Sequence, residues 1–475
     1  MAAATASAAF RALPGPPPQP LVGGTLHFIR GIVEGLAENK PYHFVRKWHD
    51  QYGPLVAIDS VGLGKSVFLS DPQHVKWMVR NDPARFTKGT SYEVVQRGWL
   101  DGSLVVSEGE VWRRKRDVYN RAFRLGAIRS YAPMFAQIAD DTADNWQQAH
   151  ERGELVDAVR CFEAVAFEAI GQAGFGIRGL GAPGNRYAAA FAHYSETLNA
   201  ETNSLVRRLL PPSVARWITM RPGRQHLEEM RSESHRIVGE AMSSSVRAAE
   251  GVQRNLVALM QDACAEESLE ELDAEQLARE ANLFLFAGHD TTSATLSWAW
   301  AMLGSHPEVQ QRAYEEVAQV PSEALVAELA DPRTLPYLGA VIKETLRLYP
   351  PAPLVVRCSK FDEEVAGHLV PAGVNYLPCI WAIQRDAKVF DEPDVFRPER
   401  WQDSSSEQLK QMQDHWMPFM IGARGCIGQQ FSIMEMRIVL ATLLKKFRVE
   451  LASKPKVVSR MLLLPENISI RCLPR

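Results

Sequence analysis

From about Asp273 to Leu303 the chain reads as one unbroken helix, and between Leu283 and Trp300 that helix is apolar on nearly every side. Such a helix cannot lie on a surface; it must run through the middle of a large core. It stops at Gly304-Ser305-His306-Pro307, where glycine and proline end helical geometry. Its polar interruption, Gly288-His289-Asp290-Thr291-Thr292, costs free energy in such surroundings unless it has a use. Ala287 and Thr291 fall one turn apart on one face, which leaves a shallow recess beside a hydroxyl. Thr291 can back-bond to the Ala287 carbonyl, loosening the helix and admitting water, and Asp290 can relay protons from solvent to that hydroxyl. Taken alone, the segment is better explained as a buried threonine satisfied by its own backbone beside a solvated aspartate.

A core built round such a helix needs a long chain, and 475 residues supply it. Leu55–Leu69 reads as two short strands around a glycine turn. Gly64-Lys65-Ser66 within it imitates a phosphate loop, but Asp59 stands where the first glycine should be and no helix pattern follows. Most of 108–320 reads as helix, broken at Pro211-Pro212 and Arg221-Pro222-Gly223; strand-like pieces return in 353–380 and near 447–472. The fold class expected is α+β, mostly helical, with a small strand-rich N-terminal part. A net charge of −3 without long basic blocks gives no argument for nucleic acid binding. The six cysteines (Cys161, Cys264, Cys358, Cys379, Cys426, Cys472) show no paired spacing, which argues against a disulfide framework or zinc site and suits a reducing compartment. Residues 1–33 carry no acidic side chain and read as a tail with a stiff hinge, Pro14–Pro20, ahead of a single domain over 34–475. No stretch approaches the roughly 18 to 20 apolar residues of a membrane span.

One further segment carries chemistry: Phe419-Met420-Ile421-Gly422-Ala423-Arg424-Gly425-Cys426-Ile427-Gly428, just before an apolar helix. A cysteine there meets an arginine and a helix N-terminus, both of which favour the anionic sulfur. The glycines let the backbone turn tightly and let a flat partner approach. Such a thiolate can be an axial iron ligand; the bland alternative is a buried apolar cysteine.

The spacing Phe419-x-x-Gly422-x-Arg424-x-Cys426-x-Gly428 resembles the haem-binding signature of the cytochrome P-450 family, and the likeness runs in order over roughly Pro14 to Arg471. The resemblance implies that family's fold, with the long helix passing over a haem b whose axial ligand is the Cys426 thiolate. Ala287-Gly288-His289-Asp290-Thr291-Thr292 is similar to the oxygen-activation segment, with Asp290 and Thr291 as catalytic acid and alcohol. Glu344-Thr345-Leu346-Arg347, followed by Phe396-Arg397-Pro398-Glu399-Arg400-Trp401, looks like the family's structural lock of Glu344, Arg347 and Arg400. By the same resemblance Trp112 and Arg116 bond one haem propionate, and Arg357 and Arg424 bond propionates as well; the alternative for Trp112–Arg116 is a cation–π pair on a surface helix. Related fatty-acid hydroxylases carry a glutamate at the position of Ala287 that links covalently to haem, so the haem here is expected to be non-covalent. Gln384-Arg385-Asp386, where many members read His-Arg-Asp, is taken as peripheral.

The activity implied is a haem-thiolate monooxygenase, acting by hydroxylation or epoxidation. The expected pocket walls are 90–107, 190–220, Leu354–Val356 and Met461–Leu464, which suit a small apolar or amphipathic substrate. Too little chain follows Cys426 for a flavin or iron–sulfur domain, so a separate electron donor of ferredoxin or flavin-reductase type is expected. Arg113, Arg114, Lys115, Arg437, Lys445 and Lys446 are candidates for its basic docking face. Rival readings are a peroxygenase or hydroperoxide-rearranging enzyme, a haem-based sensor or carrier, and an apo scaffold. A monomer without a transmembrane anchor, compatible with peripheral membrane contact, is expected in the cytoplasm. A mitochondrion or plastid is the alternative if residues 1–33 act as a transit peptide.

Overall fold

The computed structural model describes residues 8–18, 24–60, 64–89, 100–203, 223–247, 255–266, 273–329, 331, 333–460 and 462–475. Its centre is the helix Ala274–Ser305. A capping box starts it: the Asp273 carboxylate accepts from the Gln276 N–H at 2.7 Å, and the Gln276 side chain accepts from the Asp273 N–H at 3.0 Å. His306 and Pro307 end it, and the next helix, Pro307–Ala318, begins on that proline.

The helix Ala158–Phe175 runs along one side of the central helix, made possible by Gly288, where an added Cβ would come within 3.0 Å of the Ile170 side chain. Helices Arg224–Arg247, Pro336–Leu348 and Gln429–Lys446 pack on other sides. Buried aromatics fill the space between: Trp300 meets Trp146 edge-on with ring centres 5.2 Å apart, and Trp298 stacks on Tyr349 at 3.8 Å. Inside the central helix most hydroxyls are satisfied by their own backbone: Thr295 donates to the Thr291 carbonyl at 2.8 Å and Ser297 to Ser293 at 2.7 Å, while the buried Thr292 Oγ1 has no hydrogen-bond partner among the described residues. That is how an almost wholly buried helix carries so many polar side chains.

Strands β1 (Leu55–Ser60) and β2 (Gly64–Leu69) pair antiparallel from Leu55↔Leu69 to Ser60↔Gly64, as the hairpin reading expects; residues 61–63 lie outside the described residues. They begin a five-stranded sheet, β1-β2-β8-β5-β3, with β3 at Phe86–Thr87, β5 at Arg357–Ser359 and β8 at Asn375–Pro378. A small hairpin joins β6 (Glu363–Val365) to β7 (His368–Val370). Near the C-terminus β9 (Phe447–Leu451) and β12 (Ser469–Pro474) pair with β4 (Val156–Asp157), while β10 (Lys456–Ser459) and β11 (Leu463–Glu466) form a hairpin. The expected helix breaks at 211–212 and 221–222 lie outside the described residues.

The boundary expected at residue 33 falls inside a helix, Thr25–Ala37. Phe28 of that helix packs edge-on against Phe44, and Phe10 is buried in the core of the five-stranded sheet. The Ala57 N–H donates to the Pro14 carbonyl at 2.7 Å, so the proline stretch runs beside β1. Apolar side chains that find a core outweigh a tail-like composition. Among the described residues, no helix is long and apolar enough to cross a membrane.

Replacing the cap of the central helix, Asp273→Ala, is expected to cost about 1 kcal/mol and lower the thermal unfolding midpoint. Asp273→Ser should keep most of that stability, because its hydroxyl can still accept from the Gln276 N–H.

Candidate active site

The helix Pro336–Leu348 carries Glu344 and Arg347 on one turn, and both side chains are completely buried. Arg347 grips the Glu344 carboxylate with two parallel bonds, Nη2 to Oε1 at 2.8 Å and Nε to Oε2 at 2.9 Å. Arg400 Nε donates to the same Oε1 at 3.0 Å. Two donors outside the expected set complete the shell: the Arg397 N–H at 3.1 Å and the Trp401 indole N–H at 2.9 Å. The arginines spend their other donors on main-chain carbonyls, Arg347 on Gln384, Pro393 and Val395 and Arg400 on Asp391. Burial opposes ionisation of Glu344, but Arg347, Arg400 and the Arg397 N–H overcome it and hold the carboxyl below its ordinary range.

Gln384 corrects the expectation of a peripheral segment. It is fully buried; its amide donates to the Leu346 and Arg347 carbonyls at 2.9 and 3.0 Å, and its oxygen accepts from the Met417 N–H at 3.0 Å. Trp416 repeats the link, donating to the Lys343 carbonyl at 3.0 Å while its ring lies 6.0 Å from that of Phe419. The lock is therefore tied directly to the segment that leads into the cysteine loop.

In that loop the Cys426 N–H donates to the Phe419 carbonyl at 2.8 Å and Gly425 to Gly422 at 2.9 Å, closing a tight hairpin-like turn. Gly422 has φ +74°, and a Cβ there would lie 2.2 Å from Val79, so both conformation and space demand glycine. Gly428 caps the helix Gln429–Lys446. Cys426 is exposed as a residue, while protein packs densely around its sulfur. That enclosure raises the thiol's pKa, and the Gly428 N–H, the Arg116 charge and the Gln429 N–H pull it back.

The arginines expected to meet propionates assemble beside this loop, in an arrangement that differs from the simple expectation. Arg116 Nη1 donates to the Gly425 carbonyl at 2.9 Å, tying its helix, Gly109–Ala122, to the cysteine turn. The cation over the buried Trp112 ring is Arg424, at 3.8 Å, instead of Arg116. Arg424 also donates to the Ser107 carbonyl at 2.9 Å. Asp82, which sequence reasoning missed, accepts from Arg357 Nε at 2.6 Å and lies 4.0 Å from Arg424 Nε. Lys88, also missed, sits buried beside these arginines; burial and the Arg357 and Arg424 charges press its pKa well down. Burial likewise draws Arg424 down to about 10 against the pull of Asp82. The cluster is short of negative charge, and the Nε atoms of Arg116 and Arg424 are buried without a hydrogen-bond partner. A cradle of this kind fits a flat group with carboxylates at its edge, as haem is, beside the exposed Cys426.

On the central helix Thr291 donates to the Ala287 carbonyl at 2.6 Å, the back-bond expected from the sequence. Asp290 points to a different side, into a cleft of about 840 Å³ that Leu462 and Leu464 also line. Of the other expected pocket walls, 90–99, 204–220 and Met461 lie outside the described residues. Of the expected basic docking face, Arg113, Arg114 and Lys446 stay exposed, whereas Lys115 and Arg437 do not. Lys115 turns inward to Glu280 at 2.7 Å, Arg437 is buried against Thr334, Lys445 bonds the Val320 carbonyl, and Lys446 pairs with Asp140. Arg113 and Arg114 share Glu110 on the surface. Each cation on that list found a nearer partner.

Removing the charge at the centre of the lock, Glu344→Gln, leaves two arginines buried without an anion and should destabilise the fold by about 3–5 kcal/mol. Trp401→Phe removes one neutral donor and should cost only about 1 kcal/mol. Thermal unfolding of both variants reads the difference. Because the folded carboxyl titrates below its unfolded value, the lock's contribution should be complete above about pH 4.3 and fade only as acid takes the pH through the depressed folded value.

The cytochrome P450 family model matches residues 13–471. Rabbit (Oryctolagus cuniculus) cytochrome P450 3A6 is 28% identical over 474 residues, covering 96% of this chain and 90% of the relative. Cytochrome P450 4d2 of Drosophila melanogaster is 28% identical, covering 92% and 88%, and cytochrome P450 monooxygenase 91 of Postia placenta is 29% identical, covering 93% and 88%. An exposed cysteine on a glycine turn, a cationic cradle beside it and a match over nearly the whole chain agree: the protein belongs to the cytochrome P450 family of haem monooxygenases.

Proposed function

We propose that this enzyme inserts one atom of dioxygen into a small apolar or amphipathic organic substrate, by hydroxylation or epoxidation, with electrons from a separate protein. The observation that carries this reading is the Thr291–Ala287 back-bond beside Asp290, an acid and an alcohol kept in sequence on a largely buried helix. Haem, when bound, would supply the iron chemistry that activates dioxygen, and Cys426 Sγ would hold that iron.

The chain's own residues do the rest. The Gly428 and Gln429 N–H groups and Arg116 stabilise negative charge on Cys426 Sγ. Arg357, Arg424 and Lys88 would hold the haem carboxylates, with Trp112 as the floor under Arg424. Ala287 offers no carboxylate for a covalent link to haem. Thr291 holds a proton on Oγ1 and parks it on the Ala287 carbonyl; releasing that bond frees the hydroxyl to donate into the recess. Asp290 exchanges protons with water on the cleft side of the helix and would turn toward Thr291 to reload it. Leu354–Val356 are half-buried and apolar, which suits the substrate class.

The donor is a ferredoxin or flavin reductase, and the enzyme acts as a monomer. All six cysteines are free, which fits the cytoplasm or another reducing compartment. Retention of the acid–alcohol pair favours reductive chemistry over a peroxygenase reading. Turnover with a ferredoxin or flavin reductase should therefore exceed turnover with peroxide alone; equal or greater peroxide-driven turnover would reverse that choice. Thr291→Ala should leave electron consumption running while product per electron pair falls roughly tenfold or more. Unchanged coupling in that variant would remove the hydroxyl from the proton path.

A further inference from the structure

Glu163 is a carboxylic acid without a structural task. It stands half-buried on the helix Ala158–Phe175, which packs along the central helix, and among the described residues it makes no hydrogen bond or ion pair. A carboxyl placed in such a wall costs free energy that no hydrogen bond offsets. Its side chain and that of Asp290 line the same cleft of about 840 Å³, which opens to solvent between helices Ala158–Phe175 and Arg186–Asn203, the central helix and the β10–β11 hairpin.

The inner wall of this cleft is polar where the two helices face each other. His289 is buried there, its ring stacked at 3.6 Å on Phe167 and edge-on at 5.6 Å to Phe191. Its Nδ1 lies 2.7 Å from an Asp290 carboxylate oxygen but out of line for a hydrogen bond, and neither ring nitrogen has a hydrogen-bond partner. The aromatic clamp fixes His289 as a side wall, and the Asp290 side chain, 2.7 Å from it, lines the cleft beside it. On the other face of the helix Thr291 is bonded to Ala287. Water in the cleft thus touches Glu163 and Asp290 on one side of the central helix, and the alcohol stands on the other.

We propose that Glu163 is the entry point of the proton path: it takes a proton from solvent and passes it, through water in the cleft, to Asp290. This rests on the Asp290–Thr291 relay proposed above and extends it to the surface. Each pass moves one proton from water onto the Glu163 carboxylate and from there onto the Asp290 carboxylate, with no electron transferred. Glu163 is then reloaded from solvent, twice for each dioxygen consumed. Burial raises the Glu163 pKa first of all. His289 and Arg160 oppose that rise, while Asp290 and Asp157 add to it, and the net effect holds the carboxyl above its ordinary range. Other charged side chains lining the cleft are Glu196 on the helix Arg186–Asn203 and Arg460 and Glu466 at the hairpin.

The test uses the full chain with haem bound and compares Glu163→Gln, Glu163→Asp and Asp290→Asn. It reads product formed per electron pair and the solvent deuterium isotope effect across pH. Glu163→Gln should lower coupling by roughly tenfold, enlarge the isotope effect and remove the alkaline limb of the coupling profile; Glu163→Asp should restore most of all three. Acetate added to Glu163→Ala, whose cleft has room for it, should recover coupling in proportion to its acid form. In the haem-free protein, a carboxyl infrared band titrating above the ordinary glutamate range should vanish in Glu163→Gln, and equal thermal midpoints exclude misfolding. If Glu163→Gln keeps wild-type coupling while Asp290→Asn loses it, protons enter elsewhere and the proposal is overturned with the relay intact. If neither variant changes coupling, the relay falls and the proposal with it. Loss in Glu163→Gln with none in Asp290→Asn would equally overturn it, since Glu163 would not act through Asp290.

Discussion

Five donors converge on one buried carboxylate, Glu344, and much of the site hangs from that convergence. Two guanidinium groups, an indole and a main-chain N–H surround it, and the arginines reach onward to carbonyls of the segment that ends at Trp401. Ion pairs this deep add little net stability, because desolvation consumes most of their attraction. Their use is geometric: a charge with five good partners has no second low-energy arrangement. Gln384 and Trp416 carry that fixed geometry to Met417 and Phe419, and Phe419 accepts from the Cys426 N–H. A flexible glycine turn is thereby held against a rigid block, which a metal ligand requires.

The central helix solves the opposite problem. It must be apolar to sit in the core, yet carry an acid and an alcohol through it. Back-bonded hydroxyls let it do so without unsatisfied donors at Thr291, Thr295 and Ser297. Gly288 draws a neighbouring helix close enough that acid groups on both helices share one cleft. The apolar body and the polar segment are therefore parts of one design.

What the sequence made legible follows from what is local. The length and apolarity of the central helix, the β1–β2 hairpin, the Thr291 back-bond and the Glu344–Arg347 pair are all set within a few residues, and each is found where the spacing places it. Of the pairings that close over long separations, only Glu344 with Arg400 was signalled, by its motif. Asp82 meets Arg357 across 275 positions, and nothing in a lone aspartate announces it. Trp401 stood in a quoted motif without a role, since an indole donor is visible only once the acceptor is placed. Gln384 was misread as peripheral because its importance lies in three main-chain partners. Only part of the basic docking face stays exposed, for a related reason: a cation's sign is readable, but its nearest carboxylate or carbonyl is not.

The central claim is that Cys426 presents its thiolate to haem iron. Its most direct test is the absorption spectrum of the reduced, carbon monoxide-bound protein. The strongly red-shifted Soret band of thiolate ligation is predicted for the native chain, and its loss with haem retained is predicted for Cys426→His. A native protein that binds haem but lacks the shifted band, or a Cys426→His variant that keeps it, would contradict the account.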